Sequence, residues 1–257
     1  MHISRSILAA PAIGIAALLL TAAPALASEH TSGTAMGDLQ PVPLNDAPGS
    51  GSAMVEIDGT TLSFTLAYAG LLAEAPHAAH IHYAEDAMNT CPSADADTDE
   101  SGTLNTSEGA PSYGGIIVSL NTEGDTSPDS ALAVDRFGVG DDVSYSRGDV
   151  QVSAEVAEDI LSGEAVVVVH GVDHDGSGAY DGDTASDLDP SLPTEATDPA
   201  LCGVLQASQM TEVPAGGVDT GEAAVESQNL ALASGGAAAL IAGGALVMAR
   251  RRTATDS

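Results

Sequence analysis

The chain has no lysine and no tryptophan, two phenylalanines, five tyrosines and two cysteines among 257 residues. Its six basic side chains, all arginine, face 37 acidic ones, and the formal net charge is −31 at pH 7. Such a field repels nucleic acid and anionic lipid head groups and attracts cations. The scarcity of aromatic rings removes the stacking platforms on which single-stranded nucleic acid is held, and it argues equally against a carbohydrate binder. Also missing are a GxSxG elbow, a P-loop, a glycine-rich dinucleotide fingerprint and a paired-cysteine zinc module, so the common hydrolase and nucleotide chemistries have no anchor.

The arginines that are present mark the ends. "MHISRSILAAPAIGIAALLLTAAPALAS" places Arg5 before an apolar run from Ile7 to Leu20 and ends on Ala25-Leu26-Ala27. This is the pattern of a secretory signal peptide, residues 1–27, with a run too short to span a bilayer. "LALASGGAAALIAGGALVMA", Leu230 to Ala249, is uncharged and is followed at once by Arg250-Arg251-Arg252. A transmembrane anchor over 230–249 with a cytoplasmic tail over 250–257 follows from the positive-inside rule. The segment resembles the tail of wall-anchored proteins of Gram-positive bacteria, in which a sortase cuts a pentapeptide; "VPAGGVDTG", Val213 to Gly221, approximates that motif. The expected product is exported and held at the cell surface. Its partners would be the membrane, through that helix, and an extracellular protein or cell-wall component.

Between the ends, residues 28–37 read as a flexible leader, 38–210 as one domain with a sizeable core, and 211–229 as a flexible stalk. Arg136 and Arg147 are the only basic side chains between Ser28 and Asn229. Exported cysteines are normally paired. A Cys91–Cys202 disulfide would close a loop of about 110 residues, worth up to roughly 4–5 kcal/mol by chain entropy.

The domain reads as short strands. "AMVEIDGTTLSFTLAY" alternates apolar residues on both sides of Asp58-Gly59, a hairpin turn signal. Further strands are expected at Ala78–Ala84, Gly115–Leu120, Glu164–His170 and Ala200–Ser208. One helix is expected after Ser153, with Val156, Ile160 and Leu161 on one face and Gly163 beyond its end. Pro92–Ser112 and Asn121–Gly148 read as loops. The fold class is therefore all-β, a Greek-key-type antiparallel sandwich with one short helix, besides the signal and membrane helices.

"PLNDAPGSGSAMVEIDGTTLSFTLAYAGL", "PHAAHIH", "GGIIVSL", "VSAEVAEDILSGE" and "AVVVVHG" together resemble the CHRD domain, from about Asp38 to Gln209. That resemblance implies an exported β-sandwich without an assigned activity. A second resemblance is to copper/zinc superoxide dismutase, carried by His80-Ile81-His82, Cys91, the valine run ending in His170, and Cys202-Gly203-Val204. It implies copper ligands at His80, His82 and His170 and a Cys91–Cys202 disulfide. The chain departs from that enzyme where it has no histidine between Cys91 and His170 and no arginine before the last strands. The bridging imidazole and the zinc histidines are thus absent.

On a strand, His80 and His82 share a face. With His170 nearby they form a thiolate-free set suited to copper, with His77 or His174 as a fourth ligand; the alternative is three structural histidines. The stretch "DHDGSGAYDG" fits a calcium loop. Asp173, Asp175 and Ser177 stand at positions 1, 3 and 5, Gly178 at 6, the Ala179 carbonyl at 7 and Asp181 at 9. Thr184 replaces the acidic residue at position 12, and His174, at position 2, is expected to face solvent. The alternative is a solvated acidic turn. The functional expectation is a non-enzymatic metal-binding or extracellular interaction module. A copper-dependent, dismutase-like oxidoreductase without a zinc site is the alternative.

Overall fold

The computed structural model describes residues 30–208. The signal peptide, the first two residues of the leader, the stalk, the sortase-like stretch, the membrane segment and the cytoplasmic tail expected from the sequence lie outside the described residues. Among the described residues, no helix is long and apolar enough to cross a membrane.

The protein is mostly β. Its strands are β1 (Ser32–Pro41), β2 (Ser50–Asp58), β3 (Thr61–Ala69), β4 (Pro76–His77), β5 (Ala79–Tyr83), β6 (Gly115–Ser119), β7 (Gly138–Val139), β8 (Asp142–Gln151), β9 (Val166–His170), β10 (Pro199–Val204) and β11 (Gln206–Ala207). Three short helices, α1 (Thr106–Tyr113), α2 (Ala154–Leu161) and α3 (Thr194–Thr197), lie between them.

The β2–β3 hairpin forms as its alternation dictates. Ala53 pairs with Leu66, Val55 with Phe64 and Ile57 with Leu62, and all six side chains are buried on one face. Burying a side chain of the size of Leu66 contributes roughly 1.5–3 kcal/mol. The turn, however, is Gly59-Thr60 and not Asp58-Gly59, because Asp58 pairs with Thr61. Gly59 has φ +64° and takes the first loop position, where a glycine suits the twist of a two-residue hairpin.

The expected leader over residues 28–37 is ordered strand from Ser32 onward. β1 pairs with β2 from Ser32↔Asp58 to Leu39↔Gly51, with β10 at Gln40↔Cys202, and with β11 at Ala35↔Ala207. Its inward positions are small because neighbours come close. A Cβ on Gly33 would sit 3.1 Å from Leu161 Cδ2, and one on Gly37 would sit 3.0 Å from the Val204 carbonyl oxygen. A strand whose inward face is Gly33, Ala35, Gly37 and Leu39 has one large apolar residue to announce it, although it is central to the sheet.

All strand pairings are antiparallel, and the main sheet runs β6-β5-β9-β10-β1-β2-β3-β8. Connections from β3 to β5 and from β8 to β9 cross between its two ends. The sheet curls so that both halves close over one core, in which Val55, Leu66 and Phe64 meet Ile81, Val167 and Leu201. Two further departures from expectation concern the segments read as loops. α1 forms inside Pro92–Ser112 despite Gly109 and Pro111, because Asn105 and Glu108 make a reciprocal capping box at its start. β8 forms as a polar edge strand at the end of Asn121–Gly148, where mixed exposure hides the alternation. α2 is the expected helix, with Ser153 accepting the Val156 N–H.

Register decides which residues share the outer face of the β5–β9–β10 half. His80 lies opposite Val168 and His82 opposite Val166, so His80, His82, Val166, Val168 and His170 project together. Ala79, Ile81, Val167 and Val169 project the other way, into the main core. The outer face is not solvated: Leu104 and Tyr113 pack on Val166, Val168 and Cys202 in a second cluster. The Cys91–Cys202 disulfide, with Cα atoms 5.7 Å apart, ties the covering loop to β10.

Candidate metal centre

His80, His82 and His170 are all buried, and one nitrogen from each ring lies within 4.8 Å of the others. In each ring the remaining nitrogen meets a backbone carbonyl. His80 Nε2 donates to Ala131 O at 3.1 Å, His82 Nδ1 to Gly114 O at 3.0 Å, and His170 Nδ1 to Thr197 O at 2.6 Å. A carbonyl only accepts, so each of these nitrogens carries the proton. The other three, His80 Nδ1, His82 Nε2 and His170 Nε2, have no partner among the described residues.

The rings are neutral. Burial holds His82 down at about 3 and His170 at about 4, and it pushes His80 well below the usual range, with the neighbouring His170 and His82 adding repulsion. Three inward lone pairs therefore face one point. An orphaned buried polar atom costs about 1–3 kcal/mol, and three at one place form a cost that a cation would remove. Metal–imidazole bonds of about 2.0–2.1 Å set donors at most about 4 Å apart, so the triad needs only a small closure. Carbonyls that fix ring orientation are the usual outer shell of histidine metal sites.

The elements that supply these carbonyls explain the long covering segments. Gly114 follows α1, whose loop is held by Met88 N–H on Pro111 O and Thr90 N–H on Ser112 O. Ala131 lies in the segment before β7, which Arg147 of β8 steadies through Asn121 Oδ1 and the Gly124 carbonyl. Thr197 closes α3. His77 is not part of the triad: its ring contacts Leu72 O and Tyr180 Oη, and burial lowers its pKa. His174 is not part of the triad either; the residue is exposed, as expected, and its ring is partly covered. Its Nε2 bonds Asp198 Oδ2 at 2.9 Å, which raises its pKa.

The triad opens into a cavity of about 270 Å³ lined by Ile116, Leu132, Val134, Leu188 and Leu192 among others. Apart from the histidines, no ionisable side chain lines it.

The acidic loop at residues 173–181 is also built differently from its template. Gly178 has φ +85°, and its N–H donates to Asp173 Oδ2 at 2.9 Å, while Ser177 N–H donates to Asp175 Oδ1 at 2.8 Å. The converging carboxylates are Asp173, Asp175 and Glu195. Asp181 does not join them: its Oδ1 accepts from Ser177 Oγ, and its N–H donates to Glu195 Oε2. Ala179 O likewise accepts from Ser177 Oγ at 3.2 Å. Glu195, from α3 and almost wholly buried, stands where Thr184 cannot.

A second loop of this form escaped the sequence reading. Asp97, Asp99 and Glu108 converge in the same way, with Ser101 N–H on Asp99 Oδ1 at 2.9 Å and Gly102 N–H on Asp97 Oδ2 at 2.9 Å. Gly102 has φ +86°. "DTDESGTLNTSE", Asp97 to Glu108, fills positions 1, 3, 5, 6 and 12 of the calcium template. The signal was present, hidden in a stretch that reads as acidic and loop-like.

The family model described as CHRD domain matches residues 31–179. The chain belongs to the CHRD family. The match begins at β1, as the fold does, and ends inside the Asp173 loop. Among solved structures, this CHRD chain is similar to superoxide dismutase 5 of Candida albicans in its Cu(II) form, at 12% identity and a TM-score of 0.37, covering 70% of this chain and 95% of that one. A single-site mutant of the same enzyme gives 12% identity and a TM-score of 0.36, covering 68% and 90%. No curated protein matches.

Proposed function

We propose that this chain is an exported, surface-tethered CHRD module that holds one copper ion through His80 Nδ1, His82 Nε2 and His170 Nε2, and that it works by binding and not by turnover. The observation that carries the reading is the set of three buried, unpartnered nitrogens, each opposed by a carbonyl that fixes its tautomer. An imidazole-only set suits copper or zinc, and the absence of thiolate and carboxylate from the set favours copper(II). A bound copper would supply a Lewis-acidic centre able to take a further donor atom. The residues around it hold and orient the rings; none of the lining side chains besides the histidines is ionisable. Export and tethering rest on the sequence of the two ends, and an extracellular or cell-wall partner follows from that placement.

The test is metal analysis of the purified full chain with a copper titration followed by electron paramagnetic resonance. One copper per chain with nitrogen hyperfine structure is expected, lost in His82→Gln and His170→Gln. Rapid superoxide consumption by the copper-loaded chain would replace the binding-module reading with the oxidoreductase one.

A second reading concerns calcium and adds to the first. The two acidic loops share a hydrogen-bonded form, and each is completed by a glutamate, Glu108 in one and Glu195 in the other. Both would take calcium at the weak affinities usual for extracellular modules. Their role is structural: they hold the ends of α1 and α3, the two helices beside the triad.

A further inference from the structure

The cavity above the three histidines has a chemistry of its own. Apart from the histidines, Thr106 and Thr197, its lining is aliphatic, and of the lining residues Leu132, Val134 and Leu188 are 40%, 39% and 47% exposed. Scattered exposed side chains are ordinary in any protein, but these three surround one opening that leads to buried lone-pair donors. The only basic side chains of the domain, Arg136 and Arg147, are absent from the lining. Arg147 is engaged with Asn121 and Gly124. Asp187 lies close enough to act on His170, and the chain as a whole is strongly acidic. An anion approaching this opening meets repulsion from the surrounding field and no guiding cation. An apolar surface at the mouth gains by leaving water.

We infer that the three-histidine centre takes, as its further ligand, a neutral and largely apolar small molecule that carries one lone-pair donor atom, and that it discriminates against small anions. The inference rests on the copper reading above for the donor atom's partner, and on the cavity alone for the apolar part. A volume of about 270 Å³ lies at the small end for ligand pockets and fits one or two rings, not a peptide or a glycan. Ala131 and Ala196 leave the space; Ile116, Leu188 and Leu192 furnish its walls.

The experiment uses three probes on the copper-loaded full chain, read by electron paramagnetic resonance: 4-phenylimidazole, imidazole and azide. 4-Phenylimidazole is expected to change the spectrum at about tenfold lower concentration than imidazole, through burial of its phenyl ring, with azide weaker than both. Leu188→Asn should reduce that advantage, with metal analysis checking that one copper per chain is still bound. Azide binding as tightly as 4-phenylimidazole, or no gain from the phenyl ring, overturns the inference and leaves the copper reading intact. Calorimetry with 4-phenylimidazole on the metal-free chain separates the remaining cases. Binding without copper uptake sinks the copper reading and keeps the apolar pocket; neither binding nor uptake sinks both.

Discussion

Glu108 and Glu195 occupy the same place in two loops of the same form. Glu108 accepts the N–H of Thr98 at 2.8 Å and of Asn105 at 3.2 Å. Glu195 accepts the N–H of His174 at 3.0 Å and of Asp181 at 2.9 Å. Counting from Asp97 and Asp173, these donors are the second and ninth residues of their loops. One glutamate comes from the loop's own last position and the other from a helix further along the chain, yet both close the same ring of carboxylates.

The first prediction is two calcium ions per chain, measured by calorimetry on protein stripped of divalent cations. Glu108→Gln and Glu195→Gln should each remove one. A cation that binds only the folded state adds about 2.7 kcal/mol at 100 times its Kd, so millimolar calcium should raise Tm. Asp173→Asn with Asp175→Asn should remove the share of the Asp173 loop. An equal rise with sodium chloride at matched ionic strength would mean that screening, not coordination, does the work.

The second concerns pH and the metal-free protein. His80, His82 and His170 have folded pKa values depressed by burial, so the unfolded chain binds more protons than the folded one below about 6.5. Stability from these rings is fully present above 6.5 and falls as pH drops toward about 3, the folded value of His82. His174 runs the other way. Its folded pKa is raised by Asp198, so its contribution is present below 6.5 and is lost as pH rises through that folded value. Metal-free Tm should therefore peak near neutral pH, and His82→Gln should flatten the acid limb without moving the alkaline one. An unchanged acid limb in that variant would remove the histidines as its cause.

How much of this was legible in the sequence varies with the kind of atom involved. The β2–β3 alternation and the valine run of β9 announce themselves, because large apolar residues at period two have one reading. β1 does not, since of its inward residues Gly33, Ala35, Gly37 and Leu39 only the last is large, and the smallness of the others reflects neighbours that only the folded chain supplies. The shared face of His80 and His82 follows from spacing, whereas the place of His170 beside them depends on the β5–β9 register. The carbonyls of Gly114, Ala131 and Thr197 that fix the tautomers are backbone atoms and have no sequence signature. Glu195 is invisible for a related reason: it replaces a loop residue from outside the loop. The Asp97 loop was the opposite case, legible in full from its template.

The disulfide provides the third prediction. It joins residues 111 apart in sequence, which the chain-entropy model values at about 4–5 kcal/mol. Cys91→Ala with Cys202→Ala should lower Tm by roughly 10 °C or more in a domain of this size. It should also weaken copper binding, because the freed loop presents Gly114, the partner of His82. Calorimetric scans and copper titration of the double variant give both readouts. Unchanged copper affinity would mean that α1 holds Gly114 in place without the crosslink.

The last prediction joins the two kinds of site. The Thr197 carbonyl receives two donors, Thr106 Oγ1 and His170 Nδ1, each at 2.6 Å. Thr106 opens α1, two residues before Glu108; Thr197 ends α3, two residues after Glu195. Calcium in the two loops would thus restrain both helices that set this carbonyl, and the carbonyl sets which nitrogen of His170 faces the copper. Binding at one site then lowers the ordering cost at the other, and the effect is reciprocal. Copper should bind about fivefold or more tightly in calcium-saturated than in calcium-free buffer, and calcium should gain by the same factor when copper is present. Thr106→Val removes a donor without touching a ligand of either metal. It should reduce the coupling while leaving one copper and two calcium ions per chain. Equal copper affinities with and without calcium would show that the loops stabilise the domain but do not tune its metal centre.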